Sequence, residues 1–165
     1  KTSEIISQMK AKFPVWCHWD VKSLDKDFPP PKKPTTRAFE EIQDPHDFAY
    51  KSTKNLIDEG VAKECCTLRE RLLMELEYFG RKGIHLDVNV LTYCAGSGLL
   101  GGGVPAVGFY PNVGTVCVCA CVPGDADASG RFRRAVSLST DLESRVTELE
   151  RKLGLIEKCF NQLLK

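Results

Sequence analysis

Between Leu142 and Leu163 the apolar residues Leu142, Val146, Leu149, Leu153, Ile156, Phe160 and Leu163 follow one another at spacings that alternate between four and three without a break. Few patterns restrict a chain so strongly. A heptad repeat gathers all of these side chains on one narrow helical seam, and the partner that buries such a seam is another helix carrying the same repeat. Val146, Leu153 and Phe160 take the a positions; Leu142, Leu149, Ile156 and Leu163 take the d positions. Thr140-Asp141-Leu142-Glu143 fits a capping box that starts a helix. The spacing therefore predicts an oligomerising coiled-coil helix over 137–165.

The flanking charges choose an orientation. Arg145 and Lys152 stand at g, and Glu150 and Glu157 at e. Parallel chains bring g of one helix to the following e of its neighbour, so Arg145 meets Glu150 and Lys152 meets Glu157. Antiparallel chains would set like charges together. Each exposed pair contributes only about 0.2–1 kcal/mol, but all have the same sign. Val146 with Leu149 points to two strands, Leu153 with Ile156 to three or four. Arg145-Val146-Thr147-Glu148-Leu149-Glu150 also resembles the trimer-specifying pattern Arg-apolar-x-x-apolar-Glu. A parallel homotrimer is expected first and a dimer next. The competing reading, in which the stripe packs on its own domain, draws on Leu155 and Leu164, which widen it.

Upstream, the chain reads as one domain with attachments. Residues 1–24 hold an amphipathic helix stopped by Pro14, then Val15-Trp16-Cys17-His18-Trp19, expected to tuck into the core or cover a sheet edge. Residues 25–43 are a strap in which Pro29, Pro30, Pro31 and Pro34 exclude helix. Residues 44–136 form the core. Asp44-Pro45 is a helix start, and Ile57, Val61, Cys65, Leu68, Leu72, Leu76 and Phe79 recur at helical spacing, predicting a long helix over 44–80. Arg71 and Glu75 fall on its predicted wet side, Gly60 is a possible break, and Gly80 and Gly83 end it. The period then changes to two, predicting strands near 84–94, 104–110 and 115–122, the last two joined by Pro111-Asn112-Val113-Gly114. The expected fold is α+β: a small antiparallel three-stranded sheet packed on a long helix, followed by a C-terminal parallel coiled-coil helix.

A formal net charge of +1 brings no global pull toward nucleic acid or membrane, and no apolar run is long enough for a bilayer span. No signal peptide is read at Lys1–Phe13. The eight cysteines contain no Cys-x-x-Cys pair and sit mostly within apolar patterns, so reduced, metal-free thiols in an intracellular, cytoplasmic setting are expected.

The motifs with a chemical reading each have a plainer one. Gly96-Ser97-Gly98-Leu99-Leu100-Gly101 spells the dinucleotide fingerprint, but Gly102-Gly103-Val104-Pro105 follows where a helix is needed, so a hairpin loop is expected. Asp125 to Gly130 matches half a calcium loop, yet its twelfth position is Val136 rather than Glu. Cys117, Cys119 and Cys121 share a strand face and, with Cys94 on the neighbouring strand, offer soft-metal ligands; alternate positions on one straight strand do not converge on a single ion unaided, so a thiol-lined core face is expected. His85, Asp87, Asn89 and Tyr93 read as a polar outer face; a His85–Asp87 pair serving a nucleophile such as Cys17 is the enzymatic alternative. Arg131, Arg133 and Arg134 form a basic cluster around Phe132, read as a solvated hinge or, repeated by symmetry, an anion or nucleic-acid contact.

No catalytic residue, metal or cofactor is expected. The functional expectation is a non-enzymatic, homo-oligomeric interaction or assembly protein that presents repeated α+β heads to an unknown protein partner. The alternatives are a small cysteine- or histidine-dependent enzyme and a nucleic-acid-binding oligomer.

Overall fold

Thr2–Lys10 forms helix α1, whose Ile5, Ile6 and Met9 are buried together, as their three- and four-residue spacing requires. Pro14 follows, and the chain extends into strand β1, Val15–Cys17. The short helix α2, Leu24–Asp27, is tied back to the start of α1: Ser3 donates to Asp25 through its backbone N–H at 3.0 Å and its hydroxyl at 2.5 Å. The structure is a computed structural model and describes residues 1–29, 38–39, 48, 51–98, 103–124 and 130–136. The chain divides into two compact units, Lys1–Ala135 and Val136–Lys165.

The remaining elements are β2 (Ala38–Phe39), α3 (Thr53–Asp58), α4 (Leu68–Lys82), β3 (Leu91–Tyr93), β4 (Val104–Tyr110), β5 (Thr115–Cys121), β6 (Gly130–Arg131) and β7 (Ala135–Val136), with 3₁₀ turns at Ala62–Glu64 and Ala95–Ser97. The main sheet has five strands in the order β1-β5-β4-β3-β6. Its three middle strands are antiparallel neighbours; β1 joins β5, and β6 joins β3, in parallel. This corrects the expected three-stranded antiparallel sheet. The two added strands run parallel to the ones they join and are only three and two residues long, too short for a period to register.

The single long helix is also corrected. Among the described residues of 44–80 the chain is helical over Thr53–Asp58, turns at Gly60 with φ 73°, and restarts at Leu68. Thr67 and Glu70 build a capping box there: the Thr67 hydroxyl accepts from the Glu70 N–H at 3.3 Å, and the Glu70 carboxylate accepts from the Thr67 N–H at 2.8 Å. Gly83, at φ 71°, ends α4 and donates its N–H to the Phe79 carbonyl. α4 is the longest described helix at 15 residues. No long C-terminal coiled-coil helix is found among the described residues, and 137–165, where it was expected, lies outside them.

The strand expected over 84–94 shrinks to Leu91–Tyr93 because Asp87 and Asn89 take left-handed φ values of 53° and 61°. Alternation there does not mark two faces: Leu86 is buried while Ile84 and Val88 are exposed. The hairpin of β4 and β5 around 111–114 has the expected limits to within a residue.

The middle strand β4 is buried on both faces. Its neighbours Ala106 and Val107 point oppositely, and each enters a different core. Val107 joins Val116, Val118, Leu68, Leu72, Ile6 and Met9 beneath α1 and α4. Ala106 joins Leu56, Cys65, Tyr93 and Phe132. The segment Val15–Trp19 does supply a sheet edge through β1, but Trp16 is 52% exposed rather than packed away.

Candidate functional site

The one concentration of charged side chains inside the described core surrounds Asp87. Its carboxylate accepts from Arg71 Nε at 2.9 Å and stands 2.8 Å from Arg71 Nη2. It also accepts from the Thr92 hydroxyl and from Arg133 Nη2. Arg71 Nη1 forms an ion pair with Glu75 Oε2 at 2.9 Å. Glu75 Oε1 meets His85 Nδ1 at 2.8 Å. Arg71, Glu75 and Asp87 have no exposed surface, and Arg133 has 2%.

Each element contributes for a local reason. Arg71 and Glu75 are one helical turn apart on α4, and with Leu68 and Leu72 they occupy the inward positions. Asp87 is presented by the left-handed turn that ends the approach to β3, a conformation Asp and Asn tolerate better than other side chains. Arg133 arrives on the segment after β6, whose backbone is fixed where the Arg133 carbonyl accepts from Cys66 N–H at 2.8 Å. Two guanidiniums and two carboxylates neutralise one another. Burial works against the charge of Arg71, yet Asp87 and Glu75 beside it outweigh burial and hold its guanidinium above the ordinary value.

His85 caps the outer end of this chain of charges. Its ring stacks on Phe109 at 4.0 Å and on Phe79 at 4.6 Å, and meets the edge of Phe13 at 4.9 Å. The expected polar outer face of His85, Asp87, Asn89 and Tyr93 is thus corrected: Asp87 and Tyr93 are buried, and His85 pairs with Glu75 instead of Asp87. The assignment of Arg71 and Glu75 to the wet side is corrected too. Their spacing from Leu68 and Leu72 carries the signal that would have found them.

The basic cluster is divided among structural partners. Phe132 packs on Tyr93 at 5.5 Å in the second core. Arg133 belongs to the Asp87 network, and Arg134 pairs with Glu64 at 2.6 Å. Arg131 donates to the Gly130 carbonyl at 3.0 Å. Phe132 and Arg133 are thus buried rather than part of a solvated hinge, while Arg134 keeps an exposed side chain.

None of the seven cysteines within the described residues is in a disulfide. Burial pushes the thiols of Cys17 and Cys117 up, and Cys94 is raised by burial and then by its hydrogen bond with Cys66. A nucleophilic cysteine needs the opposite shift. On β5 Val116 and Val118 are buried in the main core, while Cys117, Cys119 and Cys121 are half-buried on the other face, where Cys119 and Cys121 pack against the second core as the thiol-lined face predicted.

Of the glycine motif, Gly96 to Gly98 are held in a tight turn by packing, and Leu99 to Gly101 lie outside the described residues. Gly96 lies so close to the Cys65 carbonyl that a Cβ would come within 2.3 Å of it. Ser97 next to it accepts from the Leu68 N–H at 2.7 Å, satisfying the start of α4 that a phosphate would need. Residues 125–129 of the calcium-like loop lie outside the described residues, as do Leu142, Arg145, Val146, Leu149, Glu150, Lys152, Leu153, Ile156, Glu157, Phe160 and Leu163 of the heptads. No helix among the described residues is long and apolar enough to cross a membrane. In comparisons with protein families, curated proteins and solved structures, nothing matches this chain.

Proposed function

We propose that this chain is a non-enzymatic interaction protein that self-associates and presents its α+β domain in several copies to a protein partner. The closure of the Asp87 network carries this reading. General acid–base chemistry requires a side chain within reach of a substrate proton. Arg71, Glu75 and Asp87 are wholly buried and directed at one another, which suits them to holding α4, β3 and the 130–134 segment together. Several large apolar side chains stand exposed: Trp16, Ile84, Val113 and Val122. Exposed apolar groups of this kind suit protein contact more than nucleic-acid contact.

Self-association rests on the heptad positions between Leu142 and Leu163, with a parallel trimer first and a dimer next. The described cysteines form no disulfide, which fits a reducing intracellular compartment, and we assign the protein to the cytoplasm. Light scattering after size exclusion of the full chain at micromolar concentration is expected to give three, or two, chain masses. Leu149→Lys or Ile156→Lys should reduce this to one by burying an unpaired charge in the seam. A monomeric parent chain rejects the proposal.

A further inference from the structure

We infer that Cys119 and Cys121 form a two-sulfur binding site for a soft monovalent cation, copper(I) above all. Alternate residues of β5 leave the same face of the strand, and the two Sγ atoms lie 3.9 Å apart. Both thiols are half-buried, so an ion has access from solvent and finds sulfur ahead of it. Opposite them β4 places Ala106 and Val104, which offer no competing polar side chain. Thiolate sulfur selects soft ions, and a filled d shell lets copper(I) accept two ligands in line.

The distances favour an ion over a disulfide. With metal–sulfur bonds of about 2.3 Å, two sulfurs in line are about 4.6 Å apart, only about 0.7 Å beyond the spacing present. A disulfide would need the sulfurs to close to about 2.05 Å. Alternate Cα atoms of an extended strand are separated by about 6.6–6.8 Å, at the upper limit for such a bridge. A bound cation displaces the protons outright: two thiols and one copper(I) give a bis-thiolate complex of charge −1 and two released protons. Among the described residues no group of three or more His, Cys, Asp and Glu converges as a metal cage. A two-coordinate ion therefore fits this pair better than a tetrahedral one.

The test is an anaerobic titration of the full chain with copper(I) against bicinchoninate as competing chelator. One equivalent should be withheld from the chelator. Cys119→Ser and Cys121→Ser should each weaken that binding by more than about tenfold, the range already reached when only outer-shell partners of a metal are lost. Cys17→Ser should leave it unchanged. Iodoacetamide footprinting of the unaltered chain gives a readout independent of how the variants fold: copper(I) should protect Cys119 and Cys121 together. Unchanged binding in either serine variant, protection confined to other thiols, or a Cys119–Cys121 disulfide in the freshly isolated protein would each overturn the proposal.

Discussion

Asp87 holds a left-handed φ of 53° and a carboxylate that faces two buried arginines. Asp87→Asn preserves the backbone tolerance and nearly the same shape, so it isolates the charge. It leaves Arg71 and Arg133 in a low-dielectric interior with Glu75 as the remaining carboxylate of the network. Breaking a buried pair by removing one partner costs about 3–5 kcal/mol. The denaturant midpoint should fall accordingly at unchanged slope, and a loss below about 1 kcal/mol would mean that solvent reaches the cluster. Replacing several members together with apolar residues of similar volume should cost less than the single change, because no orphan charge is left. The thiols permit a second test at this scale. Burial raises Cys17 and Cys117, so at any pH below its raised value each has a smaller thiolate fraction than a free cysteine. Iodoacetamide should modify both more slowly than a model thiol at pH 7.5, with the rate still climbing at a pH where the model thiol has levelled off. A cysteine that reacts faster than the model thiol would revive the enzymatic reading.

α4 is an element set by its ends. Thr67 and Glu70 close one, and Gly83 the other. Thr67→Ala removes the acceptor for the Glu70 N–H and should cost about 1 kcal/mol. Gly83→Ala meets no neighbouring atom, yet it forces a Cβ into φ 71° and should cost about 1–2 kcal/mol. The two sites flank the helix about 24 Å apart at 1.5 Å per residue, so their effects should add to within about 0.5 kcal/mol. Equilibrium unfolding of the two single variants and the double variant measures this, and clear non-additivity would show that α4 does not form as one rigid unit. The burial of Arg71 and Glu75 also changes what this element contributes. Leu68 and Leu72 bring apolar area, while the charges between them demand Asp87 and Arg133, giving α4 one register against the sheet.

For the whole molecule, the proposal of parallel association depends on the sign of its flanking charges. Arg145→Glu with Lys152→Glu turns attraction into repulsion at both charged g–e contacts and should weaken association by about 1 kcal/mol or more, most visibly at low salt. Adding Glu150→Lys and Glu157→Lys to the same chain should restore it. Sedimentation equilibrium across a salt series reads both changes. Recovery of the parent affinity in the four-site variant is expected, and continued dissociation would count against parallel pairing. Several copies of one domain in one assembly would bind a partner with higher avidity than a single copy, without any new contact.

What could be read from the chain alone was whatever neighbouring residues decide among themselves. Helix α1 follows from the spacing of Ile5, Ile6 and Met9, the β4–β5 hairpin from alternation around Pro111–Gly114, and the end of α4 from Gly83. Each is a matter of local period or turn chemistry, so each is printed in consecutive residues. The Asp87 site is of another kind. A charged residue at an inward helical position is soluble as a wet-face residue or viable as a buried one, and only its partners determine which. For Arg71 the partner is 16 residues along the chain, and for Arg133 it is 46 residues back. The parallel strands β1 and β6 depend likewise on distant neighbours, since strands of three and two residues have no period of their own. Long-range charge compensation and strand pairing exist only once the chain has closed on itself, which is why the tertiary structure alone placed Arg71, Glu75, Asp87 and Arg133 in one buried cluster.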